Sequence, residues 1–140
     1  MKLLKSVILV LAVIVSAAIA IAQSEGPDLP AVVSAVAPAY PPIVRVANAS
    51  GDATVEVDIN REGKVTSVEP KSGHPILRKA AEEAARRWLF SPATTDKKRK
   101  TTLTFAFRMV PAKSPIFDGT SVYYPPYKIE ARAIEAIVNP

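Results

Sequence analysis

The stretch 72–92, SGHPILRKAAEEAARRWLFSP, constrains the fold more than any other part of the sequence. Pro75 suits the first turn of a helix, where its missing N–H is not needed. Apolar residues then recur at the spacing that gathers side chains on one helical face. These residues are Leu77, Ala80, Ala81, Ala84 and Trp88. Because most of this face is alanine, the helix can lie close against a sheet, and we expect Pro92 to end it.

Segments in which apolar and polar residues alternate predict the strands of that sheet. They are residues 53–60, 65–69 and 101–109, and Gly63 lies in the loop that joins the first two as a hairpin. Residues 43–47, after Pro42, suit a short helix. We therefore expect an α+β fold, in which a small antiparallel sheet of about three strands packs against one main helix and a short N-terminal helix.

Residues 1–22 have the features of an export signal. Lys2 and Lys5 precede an apolar run, and Ala20-Ile21-Ala22 forms an A-x-A cleavage pattern before Gln23. The run is short for a membrane span, which needs about 20 apolar residues. We expect a cleaved signal peptide and an exported protein, and the alternative is a retained membrane anchor. The absence of cysteine fits export without disulfides.

The other segments carry weaker patterns. Residues 23–37, with two prolines, predict a disordered lead-in. The domain is then expected at 38–110, followed by a proline- and tyrosine-rich tail at 111–140. Within the tail, 128–133 alternates and is interpreted as an extra, fourth strand, although a helix also fits its apolar spacing.

Residues suited to catalysis or metal binding are scarce, so we expect no enzyme and no cofactor. His74 is the single histidine, and it lies at a helix start, where a positive imidazole is unfavourable. No cysteine is present to complete a metal site. Glu82 and Glu83 each have an arginine one turn later, which favours a salt-bridged surface over an acid/base pair. A hydrolase that uses His74 is the weaker alternative.

The positive charge is mild, and its distribution decides what it means. Of the net charge of +5, Lys2 and Lys5 supply two charges, so nucleic acid is not an expected partner. A basic run precedes the last predicted strand. It comprises Lys97, Lys98, Arg99 and Lys100. We interpret it as a solvated turn, or alternatively as a peripheral contact with anionic lipid head groups or an acidic partner.

Two groups of aromatic residues have different expected roles. Trp88 and Phe90 are expected in the core, because the alanine face leads into them. Tyr123, Tyr124 and Tyr127 lie among prolines, and they either cover a sheet edge within the chain or bind a partner.

Short motifs follow one another in a fixed order through residues 38–110. They are Pro38-x-Tyr40-Pro41, Gly51, Val55-x-Val57-x-Ile59, Gly63-x-Val65, Ser72-Gly73-x-Pro75-x-Leu77, Ala80-Ala81, Trp88-x-Phe90-x-Pro92-Ala93 and Phe105-x-Phe107. No single motif is specific, but the ordered set resembles the C-terminal domain of the TonB energy-transducer family. The resemblance implies an exported module, in TonB-dependent transmembrane transport, whose sheet edge receives an extended peptide from an outer-membrane receptor or other envelope partner. It also implies a periplasmic location, or alternatively an inner-membrane anchor with the domain facing the periplasm.

The chain also departs from a full transducer. Its N-terminal run holds no histidine, the long proline-rich spacer is missing, and the tail is additional. The binding function is therefore expected, whereas energy transduction is not implied. A peptide would add to the last predicted strand. The residues of that strand that face away from the predicted core are Thr102, Thr104, Ala106 and Arg108. The alternative is a structural envelope protein that pairs with itself as a dimer, with the tail as its cover strand.

Overall fold

The alternating segments and the main helix form an α+β fold in the computed structural model, which describes residues 29–111 and 121–135. The expected signal peptide, 1–22, lies outside the described residues. In chain order the elements are β1 (Val32–Ser34), α1 (Pro42–Val46), β2 (Gly51–Ile59), β3 (Val65–Ser72), α2 (Pro75–Ala85), β4 (Leu89–Phe90), β5 (Arg99–Val110), β6 (Ser121–Tyr124) and β7 (Lys128–Ile134).

The main sheet has more strands than the sequence predicted. Within the described residues it has five, in the order β3-β2-β5-β7-β6, and β1 pairs separately with β4. All neighbours in the main sheet are antiparallel except β5 and β7, which are parallel. The two additional strands come from the tail, and the predicted strand at 128–133 is confirmed as β7.

The core lies between one face of this sheet and α2. The alternation in β2 and β5 turns every second side chain toward the helix, as predicted. The largest side chains that are fully buried are Trp88, Phe105, Phe107, Leu103, Val55 and Val57. Alanines at 81, 84 and 85 form the buried face of α2 together with Leu77, so the helix axis can approach the sheet closely.

The main helix is shorter than predicted. It ends at Ala85, and the backbone N–H groups of Arg87 and Trp88 bond to carbonyls three residues back, which tightens the last turn. Phe90 then leaves the helical path, because its N–H donates to the carbonyl of Gly63 at 2.8 Å. Trp88 is buried as expected, but it reaches the core from the turn after the helix.

The predicted disorder of the lead-in is wrong for its second half. Val32 pairs with Phe90 across the small β1–β4 sheet, and Ser91 N donates to Ala31 O at 2.8 Å. The proline pattern that predicted disorder is local, whereas the partners that order this segment are more than fifty residues away in the chain.

The loop between β2 and β3 needs its glycine, as the sequence predicted. Gly63 has a φ of +89°, and a Cβ at this position would lie 1.9 Å from the carbonyl oxygen of Phe90. The loop can therefore pack against β4 only because no side chain is present.

Candidate functional site

Strand β5 was predicted to be the last strand of the domain, with an edge that either receives a partner strand or is covered by the tail, and the structure has this edge covered by the tail. One side of β5 pairs with β2 along the register from Gly51↔Phe107 to Ile59↔Arg99. The other side pairs with β7 from Thr104↔Lys128 to Val110↔Ile134. We expected β5 to be the last strand of the domain because the motif set ends there. In the structure, β7 of the tail pairs with the outer side of β5.

The tail strand β7 is hydrogen-bonded to β5 along its full length. Its ladder is closed at one end by Thr104 N donating to Tyr127 O at 2.8 Å and at the other by Glu135 N donating to Val110 O at 2.9 Å. Its inward side chains, Ile129, Ala131 and Ala133, are buried. The edge of β5 from Thr104 onward is therefore shaped to hold a parallel strand, and the chain supplies one.

The four residues predicted to border the edge differ in exposure. Thr102 is exposed, Thr104 and Arg108 are half-buried, and Ala106 is fully buried. Ala106 was expected to face away from the core and be available to a partner. Its small side chain is instead enclosed on the polar face of the sheet, because its cross-strand neighbours, Asp52 and Glu130, are longer and are held by ion pairs.

Arg108 and Arg132 lie opposite each other on β5 and β7. Arg108 Nη2 is 2.6 Å from Asp52 Oδ1, and Arg132 Nε is 2.5 Å from Glu130 Oε1. Hydrogen bonding to Glu130 raises the pKa of Arg132. Two like charges directly across a ladder are unfavourable, so each carboxylate offsets one of them.

The polar face of the sheet continues as a charged cluster on β2 and its neighbours. Lys100 Nζ lies 3.1 Å from Glu56 Oε1 and 3.6 Å from Asp58 Oδ1, and Lys71 Nζ lies 3.6 Å from Glu56. The hydrogen bond from Lys100 is the main cause that lowers the pKa of Glu56. The pKa of Asp58 is also lowered, mainly by the hydrogen bond from the hydroxyl of Ser67. The ammonium of Lys100 is thus already engaged by carboxylates.

Arg99 does not belong to an exposed basic run, which corrects the prediction for it. Only 7% of the residue is exposed. Its Nη1 donates to Ser91 O at 2.7 Å and its Nη2 to Asn60 O at 2.9 Å. Arg99 has the same strand parity as Leu103 and Phe105, so its side chain points inward and its guanidinium binds two loop carbonyls. Lys97 and Lys98 are exposed.

The tail tyrosines fold back onto the domain. Tyr127 Oη donates to Pro30 O at 2.9 Å, and burial raises its pKa. The ring centroid of Tyr123 is 6.2 Å from that of Trp88. Lys128 Nζ lies 5.5 Å from the ring centroid of Tyr124. The sequence left open whether these residues cover the sheet or bind a partner, and these contacts favour the cover.

His74 lies at the start of the main helix, where its imidazole caps a backbone N–H. Its Nδ1 accepts from Ile76 N at 3.4 Å at the start of α2. It lies at an apolar groove of about 260 Å³, whose other lining residues are Ile43, Val44, Ala47, Ala49, Ser50, Ile76 and Leu77. In the described ranges, 29–111 and 121–135, no three His, Asp or Glu side chains are grouped to hold a metal ion. Across the same ranges, we find no helix with the length and apolar character of a membrane span.

Comparison with known proteins places the domain in a family. No curated protein matches the chain. The solution structure of the Pseudomonas aeruginosa TonB C-terminal domain is similar, with 19% sequence identity, a TM-score of 0.44, and coverage of 59% of this chain and 88% of that chain. A family model described as "Gram-negative bacterial TonB protein C-terminal" matches residues 36–109, more than half of the chain. The chain therefore belongs to the TonB C-terminal family, as its motifs indicated.

Proposed function

We propose that this protein is an exported interaction module that binds an extended segment of an outer-membrane receptor, or of another envelope protein, by strand addition in TonB-dependent transport. One observation carries the proposal. The family match ends at Met109 in β5, while the next strand of the sheet, β7, comes from outside the match. The family part of the chain thus ends its sheet at β5, and that edge is able to accept a parallel strand.

Strand addition fits the kind of surface that this edge offers. The backbone groups of β5 supply affinity through a ladder of hydrogen bonds, and alternate side chains of the added strand supply specificity. The described residues around the edge hold aromatic and aliphatic side chains on one face and ion pairs on the other. We propose accordingly that the protein is not an enzyme and that its partner is a protein.

Site-specific photo-crosslinking in intact cells tests the proposal. A photoreactive residue replaces Thr102, which is exposed on β5 just before the stretch that β7 covers. The matched control replaces Lys79, which is exposed on α2. We expect the Thr102 variant, and not the control, to crosslink to an outer-membrane receptor that mass spectrometry identifies. Crosslinks from both positions alike, or from neither, would contradict binding at this edge.

The proposed export depends on residues 1–22, which have the features of a signal peptide. We expect cleavage between Ala22 and Gln23, from the A-x-A pattern. Intact-mass measurement of the periplasmic fraction checks this. A protein that retains Met1 and fractionates with the inner membrane would establish the anchored alternative.

A self-pairing dimer is the second candidate, and it rests on a different edge. The outer side of β6 has no neighbouring strand among the residues that the structure describes. Two residues of this strand, Tyr123 and Tyr124, are 39% and 41% exposed. The opposite edge, β3, contains Pro70, which lacks an N–H and weakens pairing there. Light scattering on the mature chain tests this candidate, and a monomeric mass at high concentration would exclude it.

We further propose that Lys97 and Lys98 make a peripheral contact with anionic lipid or an acidic partner. Both lysines are exposed in the loop before β5. Cosedimentation with phosphatidylglycerol vesicles should weaken when both are replaced by serine and when salt is raised. Equal sedimentation of parent and variant would show that the loop is only solvated.

A further inference from the structure

We infer that the β6–β7 tail competes in cis for the partner-binding edge of β5, and that β7 specifies the peptide that replaces it: an extended segment, parallel to β5, with one large and then two small apolar residues at alternate positions. This inference rests on the proposed function, since it concerns the same edge. It adds the direction, the side-chain pattern and the control of binding.

The inward side chains of β7 define the pattern. Ile129, Ala131 and Ala133 lie beside Phe105, Phe107 and Met109 in the register. The alanines at 131 and 133 are only 6% and 1% exposed, so their methyl groups already fill the space available. Phe107 is itself fixed by an edge-on contact with Tyr40, with ring centroids 5.5 Å apart. A larger residue at either alanine position would have to displace packed atoms.

The same pattern gives the peptide a direction. The large residue comes first and faces Phe105, and the small residues follow along Phe107 and Met109. An antiparallel strand of the same sequence would place a small residue beside Phe105 and the large residue beside Met109, where the buried Ala133 now lies. We therefore expect the peptide to bind parallel to β5, as β7 does.

The outward side of β7 is not optimal, and a partner can improve on it. Arg132 lies across from Arg108, so the tail places like charges opposite each other. Glu130 and Asp52 offset this at distances of 2.5 and 2.6 Å. A peptide with an acidic residue in place of Arg132 would instead pair directly with Arg108. Partner peptides with that acidic residue should displace the tail more readily than a copy of the tail.

Outside the ladder, the tail is held by its buried inward side chains and by contacts of its tyrosines. Tyr127 donates to the carbonyl of Pro30, and Tyr123 packs on Trp88. Strand β6 has four residues and pairs only with β7 in the main sheet as described. The hairpin can therefore leave as a unit, while the strands of the family match remain paired with one another.

The test uses the full mature chain and labelled synthetic peptides. One peptide has the sequence of residues 127–135, a second has glutamate in place of Arg132, and a third is scrambled. Ala133→Glu places a carboxylate at a buried position of β7 and should release the tail. Ala39→Glu makes the same change at an exposed position outside the strands and is the matched control.

Fluorescence anisotropy should show that the first peptide binds at least about tenfold more tightly to Ala133→Glu than to the parent. In the parent the tail occupies the edge, so only the fraction of molecules with an uncovered edge can bind, and the apparent affinity is reduced by that fraction. Ala39→Glu should bind like the parent, the glutamate peptide should bind tighter than the first, and the scrambled peptide should not bind. Tyr127→Phe, which removes the hydroxyl that is hydrogen-bonded to Pro30 and Thr101, should raise affinity by a few fold. This milder variant gives the answer if Ala133→Glu does not fold.

Two outcomes separate this inference from the proposed function. Unchanged peptide affinity in both release variants, together with a receptor crosslink at Thr102, would refute competition by the tail and leave receptor binding intact. Absence of both peptide binding and the crosslink would refute the two together.

Discussion

Replacing Trp88 with alanine should remove much of the stability of the domain. The indole is fully buried, and its ring centroid lies 5.8 Å from that of Phe105 and 6.2 Å from those of Phe90 and Tyr123. Its Nε1 donates to Val36 O at 2.9 Å, which attaches the lead-in to the core. The side chain thus joins the lead-in, the sheet and the tail.

The expected loss is about 3–5 kcal/mol in the free energy of unfolding. Truncation of a buried tryptophan or phenylalanine to alanine costs about this much, because apolar contacts are lost and a cavity remains. The Val36 carbonyl also loses its donor, which costs about 1 kcal/mol and places the value in the upper part of that range. A domain of this size has a total stability of about 5–15 kcal/mol, so the variant is close to unfolding.

Urea unfolding measures this loss. Circular dichroism is used to follow it, because Trp88 is the chain's one tryptophan and the substitution removes the tryptophan fluorescence that would otherwise report unfolding. Trp88→Phe keeps most of the apolar volume and should lose less than half as much. Leu89→Ala, at the neighbouring residue that is 43% exposed, is the matched control and should shift stability by less than about 1 kcal/mol. A shift below about 1 kcal/mol for Trp88→Ala would show that the indole does not hold these elements together.

Three further predictions concern the β2 side of the fold. Arg99→Met should cost about 2–3 kcal/mol in urea unfolding, since two loop carbonyls lose a charged donor, whereas Lys97→Met should change little. Because Glu56 and Asp58 have pKa values lowered from the usual 4.5 and 3.8, their stabilising effect is present above these values and is lost as the pH falls through the lowered ones. The urea midpoint should therefore drop as the pH falls below these usual values, and a Glu56→Gln/Asp58→Asn variant that drops as steeply would contradict this. Gly63→Ala should cost about 1–3 kcal/mol in thermal unfolding, from its positive φ and the clash with strand β4, and an unchanged Tm would show that the loop can move away.

Local patterns in the sequence were sufficient for the centre of the fold. The alternation through Val55, Val57 and Ile59 predicted a half-buried strand, and all three side chains are buried in β2. Pro75 and the alanine face predicted the start and the buried side of α2. These features depend on side-chain periodicity within one element, which a sequence displays directly.

Features that depend on distant partners could not be predicted in the same way. The helical spacing continues to Trp88, yet the chain turns after Ala85 because Phe90 finds a backbone partner at Gly63. Strands of two and three residues, such as β4 and β1, are too short to show alternation. Their existence depends on contacts that no local pattern records.

The candidate edge was predicted only in part. Alternation identified the extra strand in the tail, and the expected open edge of β5 indicated where it would lie, but neither feature carries information about its direction. We treated 97–100 as one basic run and so did not separate Arg99 from the exposed lysines. Arg99 lies an even number of residues before Leu103, which was the signal that both side chains point inward. Ala106 was assigned by parity alone, which does not account for longer neighbours that cover a small side chain.

The docking of β1 also limits how far the domain can travel if residues 1–22 stay in the membrane. Strand β1 begins at Val32, so nine residues, 23–31, separate the apolar segment from the first paired residue. At ~3.3 Å per residue they span at most about 30 Å. An anchored copy would keep its binding edge within a short radius of the bilayer surface and could meet only partners that approach that surface. Cleavage after Ala22 removes this restriction on distance, so the same edge can reach partners by diffusion.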